Sequence, residues 1–407
     1  MGMIINIDKA LELRSDYNVL KEPLNKMLAD QQEAWERQNP IDLLFARNTI
    51  SSFQETYVSS IGFDHAFTET SDYAIGPIFN TAEGFSATYR TRTFQGSFII
   101  SQQAMEDRMY GRIKDDANAF VRRWHGDIVE YALKNLEGGF GAPGATADKV
   151  EWTGGDGTDS HLQMNSADTI SGDINDPVKC SLFNKEHKTV KRGNGTPLSQ
   201  SNMFKTGTGD TSDIKFDGSD PLYIAKLADV INQVIVKMEN YRDDNGKRAG
   251  VLGAKTIVAP NEPHLKAAIS AALSMSELNG LPNMAYQRAT LETTPYLNDI
   301  GPCADGAGFF IVDKAYNAAN HGPELTERVA FTLDVTETKR PNGIVYDGRQ
   351  RFDINCATWR GITYVRVKDT VAGNPKAYSK KENFEVLTPL AVAKPVAVVG
   401  TVTTKAG

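Results

Sequence analysis

The sequence predicts an α+β protein, because stretches with the two-residue period of β-strands are separated by stretches with the period of α-helices. A strand-like period covers residues 56–100, a long helical period follows over 101–137, and residues 220–313 mix the two. The chain has 407 residues, of which 40% are hydrophobic. It can therefore bury a large core, and we expect two or three domains or subdomains.

The amino-terminal residues, 1–55, are predicted to form an arm that carries one amphipathic helix within residues 15–39. Pro23 suits the first turn of this helix, and Asn39 followed by Pro40 ends it. The arm would precede the main body of the protein. The side chains that share the apolar stripe of its helix are Leu24, Met27, Leu28, Ala34 and Trp35.

Alternating apolar and polar residues between Phe85 and Phe94, after the turn-rich stretch 81–84, predict a long β-hairpin or a pair of extended strands over residues 56–100. A two-stranded ribbon is only marginally stable in water, and exposed strand edges pair with other chains. The ribbon therefore either folds back on its own domain or lies on a neighbouring subunit. In the second case, the candidate inter-subunit contact residues are Phe85, Tyr89, Arg90, Arg92 and Phe94.

A helix of unusual length is predicted over residues 101–137, where apolar residues recur every three or four positions without a proline. Gly138 would end it, and at 1.5 Å per residue it would run roughly 50 Å. Trp124 lies in the middle of its apolar stripe, which we expect to be buried. The two glycines within it, Gly111 and Gly126, are interpreted as close-packing points or slight bends.

Residues 138–220 are rich in Gly, Asp, Thr, Ser and Asn and are predicted to be mostly surface loops. Regular secondary structure is predicted to begin again at Asp220 and Pro221, which suit the N-cap and first turn of a helix. Alternating helices and strands up to residue 313 predict an α/β layer, and two strands follow. The predicted elements are a helix with Leu227, Val230, Ile231, Val234, Met238 and Tyr241 on one face, the strand 255–259, a helix capped near Asn261 with Pro263 in its first turn, and the strands 308–313, 328–335 and 363–367.

The charge and cysteine content exclude several classes of protein. The chain has a net charge of −7, a pI near 5.5 and no run of like charges. It therefore lacks the basic charge pattern of a dedicated nucleic-acid-binding protein. Cys180, Cys303 and Cys356 are too widely spaced for a disulfide framework or a paired-thiolate zinc site. The amino terminus has no basic leader, and no stretch approaches the ~20 apolar residues of a membrane span. We expect a cytoplasmic protein with free thiols and no membrane partner.

No motif predicts an enzyme, a cofactor site or a metal site. The histidines include no pair at metal-ligand spacing, the Gly/Asp-rich stretch 154–159 lacks the alternating acids of a calcium loop, and phosphate-cradling and nucleophile-elbow motifs do not occur. Asp243 and Asp244 stand where a helix ends in a turn. The enzyme alternative is a metal-dependent hydrolase that would use His187 with acidic partners. The six histidines are His65, His125, His161, His187, His264 and His321.

The order of the predicted elements, namely arm, extended loop, long helix, α/β layer and returning strands, resembles the Hong Kong 97-type major capsid proteins of tailed bacteriophages. Several motifs resemble the Mu-like major head subunits in particular, and their order and spacing are more specific than any single motif. The resemblance covers roughly residues 40–370. The motifs are Leu182–Lys188, Gln200–Asn202, Tyr241–Gly246, Gly253–Pro260, Thr294–Leu297 and Gly308–Val312.

The resemblance implies a shell-building subunit without enzymatic activity or cofactor, which self-assembles through pentamers and hexamers into the icosahedral or prolate shell around phage double-stranded DNA. An encapsulin-type cellular nanocompartment shell uses the same fold and is the alternative. The implied partners are other copies of the chain, a scaffolding protein, a portal and, as a further candidate, a decoration protein. Assembly would take place in the bacterial host cytoplasm, and the product would be the virion capsid.

The resemblance also implies a division of the chain into domains. After the arm comes an extended loop that ends before the long helix, which is the spine helix of a peripheral domain. An axial domain with an insertion follows, and the chain then returns to the peripheral domain before a tail. The implied boundaries are 56–100 for the extended loop, 101–137 and 324–387 for the peripheral domain, 138–323 for the axial domain, 141–219 for the stretch that contains the insertion, and 388–407 for the tail.

The founding member of this family joins neighbouring subunits by an isopeptide bond, which forms when a lysine of the extended loop attacks an asparagine of the next subunit. This chain has no lysine between Lys26 and Lys114. Arg90 and Arg92 stay protonated near pH 7 and are poor nucleophiles. We therefore predict that the extended loop does not form the family's cross-link and that shells are held by non-covalent contacts.

Overall fold

Two sheets and a long helix organise the part of the chain that this computed structural model describes. The described residues are 40–63, 81–140 without 102, 105, 106, 108 and 109, 163–167, 177–188, 198–206, 214, 222–278 without 244 and 245, 280–339, 342–368 and 384–387. The predicted arm helix at 15–39, the tail 388–407 and most of the predicted insertion lie outside these residues. Helices and strands are both abundant, so the α+β class is confirmed.

The first sheet has four strands and is backed by the longest helix. Its elements are α1 (Ile41–Leu44), β1 (Ala46–Thr49), β4 (Arg92–Ser101), α2 (Tyr110–Gly138), β15 (Glu324–Lys339) and β16 (Asn342–Asn355). The strand order is β1-β15-β16-β4. β1 runs parallel to β15, and the other neighbours are antiparallel. We call this sheet together with α2 the spine layer.

The second sheet has six strands and carries most of the hydrophobic core. Its elements are β9 (Met203–Thr206), α3 (Tyr223–Glu239), β10 (Lys255–Pro260), α4 (Pro263–Ser274), β13 (Ala289–Thr294), β14 (Gly308–Asp313), α5 (Lys314–Asn320), β17 (Ile362–Arg366) and β18 (Glu385–Leu387). The strand order is β13-β10-β14-β17-β9-β18. We call this sheet together with α3 and α4 the lobe.

Four two-stranded ribbons and two short 3-10 helices, Pro295–Asp299 and Ala304–Gly306, complete the described secondary structure. The largest is the hairpin, in which β2 pairs antiparallel with β3 from Gln54 opposite Arg90 to Phe63 opposite Thr81. The order predicted from the sequence, strands then long helix then α/β layer then returning strands, is therefore found. The ribbons are β2 (Gln54–Phe63) with β3 (Thr81–Arg90), β5 (Gln163–Ala167) with β6 (Pro177–Ser181), β7 (His187–Lys188) with β8 (Ser199–Gln200), and β11 (Glu277–Leu278) with β12 (Leu281–Pro282).

The predicted extended loop divides into two structures. β3 begins at Thr81, so the predicted turn at 81–84 is wrong. The next strand, β4, pairs with β16 from Arg92 opposite Phe352 to Ser101 opposite Gly343, and it belongs to the spine layer instead of the hairpin. A two-residue period indicates that a segment forms a strand. The period is the same whether the strand pairs with a near or a distant segment, so it does not identify the pairing strand.

The predicted spine helix exists but begins later than expected. Residue 101 is the last residue of β4, and α2 has 29 residues, or about 43 Å at 1.5 Å per residue. Its amino-terminal half packs Ile113 and Val121 on Ile344 and Tyr346 of β16. Gly138 is its last residue, as predicted.

The close approach of the helix and the sheet depends on glycines in the strands. A Cβ at Gly348 would lie 3.1 Å from ring carbons of Phe120 and Phe331, closer than nine in ten real contacts of a Cβ. In the helix, a Cβ at Gly111 or Gly126 would have no neighbour within 4 Å. The interpretation of these two helix glycines as close-packing points is therefore wrong.

The lobe confirms most of the local predictions. The strands predicted at 255–259 and 308–313 are β10 and β14. The helix α4 is capped by Glu262, which accepts a hydrogen bond from the Leu265 amide, instead of by the neighbouring Asn261. The predicted face of α3 is buried at Leu227, Val230, Ile231, Val234 and Met238, and Tyr241 just beyond it is buried too.

The last long strand of the lobe differs from its prediction. All residues of β17 are buried, as are all those of β14 beside it. A strand in the middle of a sheet with both faces covered shows continuous burial instead of alternation. Residues 362–366 therefore belong to the lobe, and the prediction of one peripheral unit over 324–387 is wrong at this strand.

A buried ion pair ties β10 to β14. The ammonium of Lys255 lies 2.8 Å from the carboxylate of Asp313, and the two side chains are 3% and 0% exposed. The ammonium also donates to the carbonyls of Val251 and Gly253 over 3.1 and 2.7 Å. Because three acceptors surround it, the charge is well compensated despite its burial.

Candidate assembly interface

The hairpin joins the spine layer through aromatic and polar side chains at its root. The Tyr57 ring lies 4.6 Å from the Tyr89 ring and 4.2 Å from the His321 ring, measured between centroids. Tyr89 is 1% exposed, and its hydroxyl donates to the backbone carbonyl of His321 over 3.5 Å. We call Asn48, Tyr57, Tyr89, His321 and Glu324 the root cluster. They come from the first three strands, the end of α5 and the start of β15.

The carboxylate of Glu324 lies at the centre of the root cluster and is 2% exposed. Its Oε1 accepts a hydrogen bond from Asn48 Nδ2 over 3.3 Å and lies 3.3 Å from His321 Nδ1. Asn48 Nδ2 also donates to the Tyr57 hydroxyl over 3.2 Å, and that hydroxyl donates to Glu55 over 3.0 Å. A continuous set of polar contacts therefore runs from the buried start of β15 to the surface of the hairpin.

The protonation state of Glu324 affects the contact between the hairpin and the spine layer. Burial raises the pKa of Glu324 above its ordinary value, while the neighbouring His321 and the hydrogen bonds from Asn48 and Tyr89 act against the rise. Burial also raises the pKa of Tyr89, and the charge of Glu324 adds to that rise. The stability of the root cluster, which holds the hairpin on the spine layer, therefore depends on the protonation of Glu324.

Three of the predicted contact residues have partners within their own subunit. Tyr89 is enclosed in the root cluster and has almost no ring surface left for a neighbour, so its prediction as an inter-subunit contact is wrong. Phe94 is half-buried and stacks on Phe352 with 4.5 Å between ring centroids. Arg92 is half-exposed and lies 3.5 Å from the buried Asp353. Both hold β4 on β16, and their contact with a neighbour remains a prediction.

The other two predicted contact residues lie on the hairpin itself. Arg90 is exposed at the end of β3. Phe85 is within the same strand, and its side chain lies outside the described residues. For these two residues the predicted contact with a neighbouring subunit also stays a prediction.

The histidine of the hydrolase alternative is part of the lobe's packing. His187 stacks on Trp359 with 4.1 Å between ring centroids, and its Nε2 lies 3.1 Å from Asn202 Oδ1. Burial lowers the pKa of His187 to about 3, so the ring is neutral near pH 7. Two of the motifs, 182–188 and 200–202, meet through this contact. Within the described ranges, no group of three or more His, Cys, Asp or Glu side chains could hold a metal ion.

Sequence reasoning missed most of the root cluster. Tyr89 and His321 are 232 residues apart in the chain, and Asn48 and Glu324 are 276 apart. No motif or period joins such positions, and Glu324 resembles any other acidic residue at the start of a strand. Among the described helices, none is both long and apolar enough to cross a bilayer.

Several solved structures are similar to this chain over most of its length. The structure of Mycobacterium phage Patience is 14% identical, with 90% of this chain and 92% of that chain covered and a TM-score of 0.44. The virus-like particle from Pyrococcus furiosus is 8% identical, with 85% and 98% covered and a TM-score of 0.41. The mature capsid of bacteriophage PhiM1 is 10% identical, with 80% and 86% covered and a TM-score of 0.40. No protein-family model and no curated protein sequence matches this chain.

Proposed function

We propose that this chain is the major capsid protein of a tailed bacteriophage, which assembles with copies of itself into a closed shell around double-stranded DNA. The observation that carries the proposal is the combination of a β-hairpin, a spine layer built on a 29-residue helix and a six-stranded lobe, in the order expected for such a subunit. The role is structural, and the residues described above serve packing and association instead of catalysis.

The hairpin supports association between subunits. Its two strands form a sheet of their own, and a ribbon of two strands gains little stability without a further surface to pack on. A hairpin that lies on the next copy makes a heterologous contact, because the two surfaces in contact differ. Such contacts close into rings or extend into lattices, which is what a shell requires.

The lobe offers a second surface for association. Four large apolar side chains cluster in sequence around the turn that joins β11 to β12, and apolar patches of this kind mark contact sites. We assign this turn to contacts between neighbouring lobes within pentamers and hexamers. The four side chains are Met275, Leu281, Met284 and Tyr286, which are 45%, 55%, 69% and 40% exposed.

The remaining partners follow from the same function. A scaffolding protein and a portal would guide assembly in the cytoplasm of a bacterial host, and a decoration protein would bind the finished virion. With a net charge of −7, the chain would enclose DNA without recognising its sequence.

Production of the chain in bacteria, alone and together with a candidate scaffolding protein, tests this proposal. We expect closed shells in negative-stain electron microscopy and rapid sedimentation far beyond a 44.6 kDa subunit. A matched pair of variants, Met284→Asp in the exposed turn and Glu292→Gln on the exposed face of β13, should separate assembly from folding, since only the first should reduce shell yield. A chain that remains a small soluble species in every condition would contradict the proposal.

The contents of purified particles distinguish a phage capsid from the alternative, an encapsulin-type nanocompartment shell. A nanocompartment shell would purify with a protein cargo, whereas a phage capsid from infected cells would contain DNA that resists nuclease until the shell is opened. The measurement is nuclease protection together with mass spectrometry of the proteins inside purified particles.

A further inference from the structure

A small cavity lies where the spine layer meets the lobe. α1 and β1 form one of its walls, and the end of β14 with the start of α5 forms the other. Its volume is about 260 Å³. The buried side chains of Leu44, Phe45 and Val312 line it, and the exposed side chains of Arg47 and Lys314 lie beside them. The cavity therefore combines apolar walls with a charged rim.

The cavity suits one large side chain of a protein segment better than a small-molecule ligand. Small-molecule sites usually enclose about 300–1,000 Å³ and contain several convergent polar groups. This cavity is smaller, and the guanidinium of Arg47 is already paired with the carboxylate of Asp42 over 2.7 Å. Lys314 has no acidic partner among the described residues. Its ammonium can therefore pair with an acidic side chain of a segment that enters the cavity.

The chain itself reaches the described structure beside this cavity. Pro40 is buried in a turn, α1 begins at the next residue, and the cavity wall begins at Asp42. Residues 1–39 lie outside the described residues. In the sequence, Trp35 is the only large apolar residue between residues 29 and 39. Seven residues separate it from Asp42, at most about 25 Å of extended chain, so Trp35 can reach the cavity of its own subunit.

Two features of the cavity match a tryptophan with acidic neighbours. Asn317, which lines the cavity, is 1% exposed, and its Oδ1 has no hydrogen-bond partner among the described residues. An indole buries a large apolar surface and carries one N–H group that needs an acceptor when it is buried. Glu33 and Glu36 lie on either side of Trp35 in the sequence, and their charge is opposite to that of Lys314.

We propose that Trp35 inserts into this cavity of its own subunit, with an acidic neighbour beside Lys314, and so fixes the amino-terminal arm where the spine layer meets the lobe. The inference goes beyond the proposed function and does not depend on it, because the contact lies within one subunit. Asn48 of β1 and His321, just beyond α5, belong to the root cluster. An arm held between β1 and α5 would therefore brace the two elements that hold the hairpin.

Quenching of tryptophan fluorescence by acrylamide in dilute, unassembled subunits tests the insertion. The difference between the original chain and Trp35→Phe isolates the signal of Trp35 from those of the other three tryptophans. We expect Trp35 to be quenched at least threefold less than a free tryptophan derivative. Quenching equal to that of the free derivative would overturn the inference. Protection that appears only in assembled shells would also overturn it, because a neighbouring subunit would then cover Trp35.

A matched pair of variants in α5 tests whether the cavity is the site that protects Trp35. Ala318→Phe places a ring at the cavity, whereas Ala319→Phe places the same ring at the next exposed residue, which does not line the cavity. We expect only Ala318→Phe to raise the quenching of Trp35, at least threefold. Circular dichroism shows whether both variants are folded. A folded Ala318→Phe in which Trp35 stays protected would contradict the inference.

A charge reversal at the rim provides a second test, which decides if Ala318→Phe does not fold. Lys314→Glu should raise the quenching of Trp35 by repelling the acidic residues on either side of it. An acidic residue suits the first turn of α5, so the variant should keep its fold. Lys266→Glu, at an exposed position of α4, is the control and should leave the quenching unchanged. Equal quenching in the original chain and in Lys314→Glu would contradict the pairing at the rim.

Discussion

The lobe contains a sheet of six strands and the spine layer a sheet of four, and the two regions obtain their stability differently. In the lobe, the two central strands β14 and β17 are buried along their whole length, and helices α3 and α4 pack together over the sheet. In the spine layer, α2 covers the sheet, and no strand of the described ranges pairs with most of one edge of β15. The difference shows that the central strands of the lobe are covered within the subunit, whereas most of one edge of β15 has no partner strand among the described residues.

Two buried groups, His187 in the lobe and Glu324 in the root cluster, respond to acid in opposite ways. His187 in the lobe is buried in its neutral form, and Glu324 at the hairpin root is buried with a raised pKa. Protonation places a charge inside the lobe but removes one from the root cluster. Lower pH should therefore weaken the lobe and relieve the root cluster of a buried charge.

The largest expected effect is the loss of a core ring in the lobe. Phe310→Ala should lower the free energy of unfolding by about 4 kcal/mol, because the fully buried ring leaves a cavity. Phe98→Ala in the spine layer removes a half-buried ring stacked on Tyr346 and should cost about 2 kcal/mol or less. Urea unfolding of unassembled subunits measures both, and equal losses would break the comparison.

Acid should destabilise the lobe through His187. Between its ordinary pKa of 6.5 and about 3, the unfolded chain binds a proton that the folded chain does not, so stability is lost as pH falls through this window. At pH 4 this residue alone should lower the free energy of unfolding by about 3 kcal/mol.

His187→Gln should flatten the corresponding part of the curve, whereas the exposed His264→Gln should leave it unchanged. His125 of α2, whose pKa burial lowers to about 4, adds a dependence of the same sign that remains in both variants. The measurement is urea unfolding at pH 7, 5.5 and 4. An unchanged pH profile of His187→Gln would mean that this ring is accessible to protons in the folded lobe.

The root cluster should show a smaller effect of opposite sign. Because the pKa of Glu324 is raised in the folded state, the folded chain binds more protons than the unfolded chain above the ordinary value of 4.5. The stability that this residue contributes is therefore lost as pH rises through the raised pKa. Glu324→Gln keeps an acceptor oxygen without the charge, so it should unfold at a higher temperature than the original chain at pH 8.

The advantage of Glu324→Gln should shrink as the pH approaches 4.5, where the original carboxyl is protonated as well. Glu292→Gln, at an exposed position of β13, is the matched control and should show no such trend. Thermal unfolding between pH 4.5 and 8 measures the difference. A constant offset at every pH would indicate that the carboxylate is stabilised instead of penalised by its surroundings.

The last expected effect is none at all. The hairpin region between Lys26 and Lys114 contains no lysine, so shells should show no cross-link from an extended-loop amine. Particles boiled in detergent with reductant should run as a single band near 44.6 kDa. A ladder of covalent oligomers would contradict this prediction and would place a reactive lysine elsewhere in the chain.

The sequence alone determined the features that depend on neighbours in the chain. The buried face of α3, the strands β10 and β14, the end of α2 at Gly138 and the absence of a lysine from the hairpin could all be read from local patterns. These features follow from side-chain periodicity, helix-ending residues and composition, which act over a few residues and need no knowledge of distant partners.

Only the tertiary structure decided how the strands are partnered. A two-residue period could not show that β4 pairs with β16 instead of the hairpin, or that β17 lies at the centre of the lobe. It also could not bring Glu324 beside Asn48, 276 residues away. Strand pairing and buried polar contacts are formed between segments distant in sequence, so the residues of one segment alone do not determine them.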